Sequence, residues 1–333
     1  MKALQIKGYG ELRENIFLGD VPKPQIKEGQ VLVEVHAASV NPVDYKIVLG
    51  NLKLLLRLKL PAVFGYDFAG IVSEKGNGVT RLKIGDAVYG RVPSESPGTF
   101  SEFVTVDADV VSPKPKNLDF IEASSIPLVG VTTVQVFNKS NLKAGDKVLI
   151  HAGSGGIGTF AIQYAKAKGA YVYTTTSTRN MAWVKALGAD RVIDYKTEDY
   201  KKIAKDLDVV YDTLGGQYTL DAFDLVKPKG HITSIAGGID GETVKALGLP
   251  KIIQWILFFK GRKIRKLAKQ KGVHYNYVLM DPNREQLEQL TDLIQQGTIK
   301  PVLDKVYDLA DGVEALVHQQ SGRAKGKIVI KMR

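Results

Sequence analysis

The run Lys147-Val-Leu-Ile-His-Ala-Gly153-Ser154-Gly155-Gly156-Ile157-Gly158 could hold a phosphate. Apolar residues before the glycines predict a strand, and Thr-Phe-Ala-Ile-Gln-Tyr-Ala after them predicts a helix. The turn then brings free N–H groups and the positive end of a helix dipole to one point. In that pattern Gly153 makes the tight turn, Gly155 leaves room for a pyrophosphate against the backbone, and Gly158 lets helix and strand pack closely. A purely structural turn would use the same glycines, so the flanking chain has to decide.

The next predicted strand, Tyr171-Val-Tyr-Thr-Thr-Thr176, follows at the spacing of a βαβ unit and ends Thr176-Ser177-Thr178-Arg179-Asn180. A site for NAD usually carries Asp or Glu there to accept from the ribose 2′-hydroxyl. No Asp or Glu occurs between Gly158 and Asp190. Ser177 can donate a hydrogen bond and Arg179 can supply charge, a pair suited to the 2′-phosphate of NADPH. The competing reading of Arg179 is the start of a helix on a solvated face.

Several chemistries are excluded by composition. The 333 residues contain no cysteine, so disulfides, thiolate nucleophiles and cysteine-held zinc are absent. The five histidines, at 36, 151, 231, 274 and 318, show no paired ligand spacing, and no metal is expected. His36 and His151 sit in strand patterns and read as packing residues. Charged residues make up 24% and apolar ones 44%, as in an ordinary globular protein. No apolar run of signal or membrane-spanning length is found, and a cytoplasmic location is expected.

The net charge of +11 could suggest nucleic acid or an anionic membrane, but much of it is local. Between Lys251 and Lys271 lie eight Lys or Arg and no acid, an apolar stretch followed by a basic one. It could be an interfacial helix giving weak peripheral membrane contact. The preferred reading is a lid or dimer-edge helix with a solvated basic face, and nucleic acid is not the expected partner.

These candidates need elements to position them. The first third alternates in short runs, Val31 to Ala38, Ala69 to Glu74 and Phe103 to Val106, broken by Gly and Pro, as in a small β barrel. From about Ile126 strands alternate with helices: strands over Lys147 to Ala152, Tyr171 to Thr176, Arg191 to Asp194, Asp208 to Thr213 and His231 to Ile235, with helices such as Arg179 to Gly188 and Thr219 to Val226. That order predicts a doubly wound parallel sheet. A further strand over Tyr275 to Met280 and a helix over Arg284 to Gln296 lead to a closing strand, Lys327-Ile-Val-Ile-Lys, with the texture of the first third. The expected organisation is therefore α/β: a Rossmann-type domain over 126–282, inserted in a β-rich domain formed by 1–125 and 283–333.

In this order the motifs Asn41-Pro-Val-Asp44-Tyr45-Lys46, Gly65-Tyr66-Asp67-Phe-Ala-Gly70, Gly85-Asp86-Ala-Val-Tyr-Gly90, Gly98-Thr-Phe-Ser-Glu-Phe103, Pro127-Leu-Val-Gly130-Val-Thr132, Gly155-Gly-Ile-Gly158, Leu187-Gly-Ala-Asp190 and Gly326-Lys327 resemble the medium-chain dehydrogenase/reductase superfamily. Within it the chain resembles the zinc-independent quinone oxidoreductases, with the Asn-Pro-Val-Asp-x-Lys form nearest plastid-envelope quinone-oxidoreductase homologues and alkenal reductases. The resemblance implies a GroES-like partial barrel for the β-rich domain. The zinc-dependent branch carries Cys roughly where Asn41 stands, Gly-His-Glu where Gly65-Tyr66-Asp67 stands, and a four-cysteine loop absent here. Hydride transfer from NADPH to quinones, enals or enones needs no metal to polarise the acceptor.

The resemblance places Asn41, Tyr45, Lys46 and Tyr66 near the nicotinamide. Asn41 could hydrogen-bond a carbonyl oxygen, and Lys46 or a tyrosine hydroxyl could give a proton after hydride transfer; alternatively the tyrosines line a pocket and solvent supplies the proton. It also adds Thr132 and Tyr195 on the cofactor side, and a homodimer by family habit. Loops after two strands, Asp212-Thr-Leu214-Gly215-Gly and Ser234-Ile-Ala236-Gly237-Gly, fall where such sheets bind ligands, though each glycine could be an ordinary turn. Lys327 is assigned to the cofactor, and it or Arg323 could equally be a surface charge. An enoyl-thioester reductase of the same fold, and a nucleotide-binding protein working mainly through RNA or membrane association, are the alternative readings.

Overall fold

The structure is a computed structural model describing every residue except Leu54, Leu55, Arg57 and Arg333. The chain divides into two compact units, Met1–Val131 with Asp281–Arg333, and Thr132–Met280. The first division falls inside the helix Pro127–Lys139 rather than ahead of it.

The first unit is built around the strand Gln30–Val40, whose β-branched and aliphatic residues Val31, Leu32, Val33 and Val35 are fully buried. One of its edges pairs with Asp67–Lys75. Phe103–Asp107 takes the other edge against residues 30–34, and Lys327–Lys331 takes it against residues 37–40. Leu303–Asp308 beside Lys327–Lys331, and Ala87–Arg91 then Val111–Pro113 beyond Asp67–Lys75, complete a seven-stranded sheet. A three-stranded sheet of Ile16–Asp20, Lys2–Ile6 and Ala62–Val63 shares its core, where Leu4 and Ile6 meet Phe64, Phe68 and Ile330. The last segment of the chain thus belongs to the unit formed by the first, as its texture predicts. In antiparallel register Ile328 faces Val40, so the polar residues one step beyond, Lys327 and Asn41, arrive together.

The second unit is a six-stranded parallel sheet in the order Arg191–Asp194, Tyr171–Thr176, Lys147–Ile150, Leu207–Asp212, Val226–Ser234, His274–Tyr277. The strand order reverses between Lys147–Ile150 and Leu207–Asp212, which makes the carboxyl ends of those two strands the switch point where such sheets bind ligands.

Some expected boundaries move, for local reasons. The first strand of this sheet stops at Ile150 because Ala152 turns left-handed. The helix expected over Thr219 to Val226 spans Gln217–Ala222; Leu225 and Val226 are core residues, and the Leu225 carbonyl accepts from the N–H of Leu207 at the start of the neighbouring strand. The stretch expected as one helix after Lys251 is two, Lys251–Lys260 and Arg262–Lys271, divided at Gly261.

Candidate functional site

The glycine turn opens at Ala152, which itself takes the left-handed φ of 53°. Gly153 is therefore not the residue that supplies the turn's dihedral. It must be glycine because a Cβ there would lie 2.2 Å from Thr174 Oγ1 on the next strand. Gly158 is held to hydrogen by close packing, with a Cβ 2.3 Å from the Ala152 carbonyl oxygen. Gly155 is different: its Cβ would meet only the Ala152 oxygen, at 3.4 Å. The open side of the turn is in front of Gly155, where a pyrophosphate needs space. Helix Gly156–Ala167 begins there with Gly155 as N-cap and no side-chain cap, and Ser154, Gly155, Gly156 and Ile157 are part-exposed. Its first N–H groups face outward for an anion.

Beneath the turn His151 is buried, between the rings of Tyr200 and Tyr218 at 5.2 and 5.1 Å. Burial pushes its imidazole down to about 4, so it is neutral at pH 7.

At the tip of the second strand Thr176 is buried with Oγ1 unpartnered among the described residues. Ser177 Oγ accepts from Asn180 Nδ2 at 3.1 Å, which leaves its own O–H to donate. Arg179 is exposed and makes no ion pair among the described residues. One carboxylate that the local sequence does not reveal arrives from the neighbouring strand, where Asp194 stands in register with Thr176. It accepts from Thr178 Oγ1 and from the N–H of Lys196, and the Thr178 bond in particular holds it below the usual carboxylate range. Those bonds turn Asp194 inward to its own loop and leave Arg179 as the charge at the tip.

The loops after the next two strands are organised by buried Asp212. Its side chain accepts from the N–H groups of Leu214 (3.1 Å) and Gly215 (2.8 Å), from Ser234 Oγ (2.7 Å) and from Thr219 Oγ1. Gly215 has φ of 74° and would place a Cβ 2.2 Å from the Ala236 oxygen; Gly237 would place one 2.8 Å from each of Ser234, Thr219 and Tyr275. Both glycines serve this packing. The residues they leave exposed are Leu214 and Ala236, and Tyr195 is exposed after the Arg191–Asp194 strand. Thr132 is buried in the helix Pro127–Lys139.

Three of the first unit's candidates, Asn41, Tyr66 and Lys327, meet in a buried charge cluster. Lys327 Nζ donates to the Val40 carbonyl at 3.2 Å and to Asn41 Oδ1, and lies 3.7 Å from Asp67. Asp67 accepts from Asn41 Nδ2 (2.9 Å), Ser39 Oγ (2.8 Å) and the N–H of Leu128 (3.0 Å). Asp44 accepts from the N–H of Asn41 at 2.7 Å, fastening the first turn of helix Pro42–Val48. Arg91 lies over the Tyr66 ring at 4.8 Å and donates to Ser94 Oγ. Burial pushes Asp67 up and Lys327 down. It pushes Asp44 up to about 8, with the neighbouring Asp67 charge adding to the rise.

This arrangement corrects three expectations. Asn41 is 1% exposed and its amide is committed to Ser39, Asp67 and Lys327, so it has no donor left for a carbonyl oxygen. Tyr66 is fully buried, its hydroxyl donates to the Ser94 carbonyl and burial raises its pKa, so it is a packing residue and not a proton source. Lys327 is neither a surface charge nor free for a cofactor; it neutralises Asp67 and holds Asn41. Arg323 is exposed. Tyr45 is half-buried and Lys46 exposed, on the helix that the cluster anchors. Asp44, Asp67 and Arg91 were legible only as charges inside apolar strand patterns, such as Val88-Tyr-Gly-Arg91-Val and Phe64-Gly-Tyr-Asp67-Phe.

A parallel sheet with a phosphate cradle at its switch point, and a β-rich unit made from both ends of the chain, define a two-domain nucleotide-dependent dehydrogenase. Residues 27–116 match the alcohol dehydrogenase GroES-like domain and residues 187–330 the zinc-binding dehydrogenase family model. The chain is 34% identical over 357 residues to the mitochondrial NAD(P)H oxidoreductase RTN4IP1 of Danio rerio, covering 100% of this chain and 91% of the relative. It is 31% identical over 340 residues to the chloroplastic NADPH-dependent alkenal/one oxidoreductase of Arabidopsis thaliana, covering 99% and 79%. The solved quinone oxidoreductase of Coxiella burnetii superposes with a TM-score of 0.88 at 36% identity, over 100% of this chain and 99% of that one. The chain belongs to the medium-chain dehydrogenase/reductase superfamily, among its quinone oxidoreductase homologues.

The zinc in the second family's name does not fit this donor set. There is no cysteine, and no group of three or more His, Asp or Glu among the described residues could hold a metal. Of the side chains in Gly65-Tyr66-Asp67, Tyr66 is buried with its hydroxyl donating to the Ser94 carbonyl, and Asp67 is saturated by three donors and a lysine, so neither offers a free lone pair to a metal.

Proposed function

We propose that this protein transfers hydride from NADPH to quinones or α,β-unsaturated aldehydes and ketones without a metal. The observation that carries the proposal is the strand tip Ser177 to Arg179, beside a glycine turn open at Gly155 and a helix without a side-chain cap. When bound, NADPH supplies a hydride at C4 of its nicotinamide. The chain supplies the rest. N–H groups of Gly156 and Ile157 would hold the pyrophosphate, and Ser177 with Arg179 would hold the 2′-phosphate. Leu214, Ala236 and Tyr195, exposed at the ends of the neighbouring strands, would border the rest of the dinucleotide. The Asn41–Asp67–Lys327 cluster fixes helix Pro42–Val48, so that Tyr45 and Lys46 are presented from a rigid base; a proton from one of them, or from water, meets the charge that develops on the acceptor oxygen.

The Arabidopsis relative's name, an NADPH-dependent alkenal/one oxidoreductase, supports both cofactor and acceptor class. The test is consumption of NADPH and of NADH across quinones, enals and enones, with enoyl thioesters in the same panel. Preference for NADPH with turnover of quinones or enones is the expected result; equal use of NADH, or turnover of thioesters alone, overturns it. A cytoplasmic homodimer completes the proposal, to be checked by fractionation and light scattering, since the named relatives are mitochondrial and chloroplastic.

A further inference from the structure

The helix Lys251–Lys260 is turned inside out. Ile252, Trp255, Ile256 and Phe259, spaced i, i+3, i+4 and i+7, make one apolar face. They are 76%, 68%, 51% and 59% exposed, and the helix buries no residue. The groove along this face has a lysine at each end, Lys251 and Lys260. The helix Arg262–Lys271 is built the opposite way: Ile264, Leu267 and Ala268 pack on the core of the second unit, and Arg262, Lys263, Lys266 and Lys269 face solvent. Gly261 permits the break, since a Cβ there would sit 3.1 Å from the Ile239 oxygen and 2.7 Å from Arg265 Nη1.

Of the eight cations in the two helices, Lys271 pairs with Asp224 and Arg265 lies on the Phe258 ring at 3.6 Å. The other six make no ion pair among the described residues. An apolar face of this kind marks an interaction site. A second copy meeting it across a twofold axis would bring six unpaired cations against six, with no acid between 251 and 271 to offset them. A bilayer with anionic head groups meets both requirements, because the apolar face enters the acyl boundary while lysines and arginines reach the phosphates. We propose that the helices Lys251–Lys260 and Arg262–Lys271 dock this protein peripherally on anionic lipid surfaces. Of the two forms of the preferred sequence reading, a lid would leave the outward apolar stripe without a partner, and a dimer edge would cover it but set unpaired cations against one another.

The experiment uses the full chain with Trp183→Phe, which leaves Trp255 as the single indole, because the chain has two tryptophans. Phosphatidylglycerol–phosphatidylcholine vesicles are expected to shift Trp255 emission to the blue, with phosphatidylcholine alone giving little effect and added salt releasing the protein. Each cation near such a surface contributes roughly fivefold in affinity. Joint replacement of Arg262, Lys263, Lys266 and Lys269 by glutamine should therefore weaken vesicle binding by on the order of several hundredfold, while the Trp255 emission in buffer and the NADPH affinity stay unchanged as controls of folding. Absence of binding to anionic vesicles, equal binding to neutral ones, or an unaffected quadruple variant overturns the proposal. So does self-association of the native chain that Ile252→Glu dissolves, which would assign the face to a second copy.

Discussion

Replacing Asp44 by asparagine should flatten the pH dependence of the first unit's stability. The Asp44 carboxyl is fully buried, and its desolvation lifts it from an ordinary 3.8 to about 8. A raised acid binds its proton more tightly folded than unfolded, so its contribution is unfavourable as pH rises. Below about pH 4 both states hold the proton and nothing is lost. Between about 4 and 8 the unfolded chain has released it and the folded chain has not, which removes up to about 1.4 kcal/mol for each pH unit. Above about 8 the loss is constant, at most roughly 6 kcal/mol. Asparagine keeps an oxygen to accept from the N–H of Asn41 and cannot ionise. The stability difference between Asp44→Asn and the native chain should thus move in the variant's favour from pH 4 to 8 and level off outside that window. Hydrogen exchange of peptides from the Gln30–Val40 and Asp67–Lys75 strands, corrected for intrinsic rates, reads the unit directly. A difference that stays constant across those pH values would refute the reasoning.

Arg179→Ala should raise the KM for NADPH about 10- to 100-fold, the size of one charge-assisted contact, and leave that for NADH nearly unchanged; steady-state kinetics with both cofactors checks it. Gly153→Ala must displace Thr174 and should cost about 1–3 kcal/mol in urea unfolding followed by Trp183 fluorescence. Gly155→Ala, with only the Ala152 oxygen at 3.4 Å to meet, should keep its stability and lose NADPH affinity in calorimetry. Lys327→Met strands the Asp67 charge and should cost about 3–5 kcal/mol, of which Asp67→Asn in the same chain restores a part, read by the same exchange experiment.

Local pattern made the second unit legible. Its strands alternate with helices, each element is contiguous in sequence, and the glycine turn joins neighbours, so periodicity and spacing suffice to predict a doubly wound parallel sheet, while the order of its strands came from the structure. The first unit was legible only as β-rich, because its central strand pairs with segments from residue 67 to residue 331 and register across such distances leaves no local trace. The expected helix over Thr219 to Val226 failed for the same reason, since Leu225 and Val226 are apolar for a core that neighbouring strands create.

The residues themselves fixed the absence of thiol chemistry, the glycine turn and the acid-free local strand tip, all properties of residue type and close spacing. Only tertiary structure decided what their side chains can do. It turned Asp194 inward beside that tip, gave the left-handed turn to Ala152, and withdrew Asn41, Tyr66 and Lys327 into a buried cluster. A side chain's free donors and its exposure depend on partners that folding brings from elsewhere in the chain: Lys327 reaches Asn41 because Ile328 pairs with Val40.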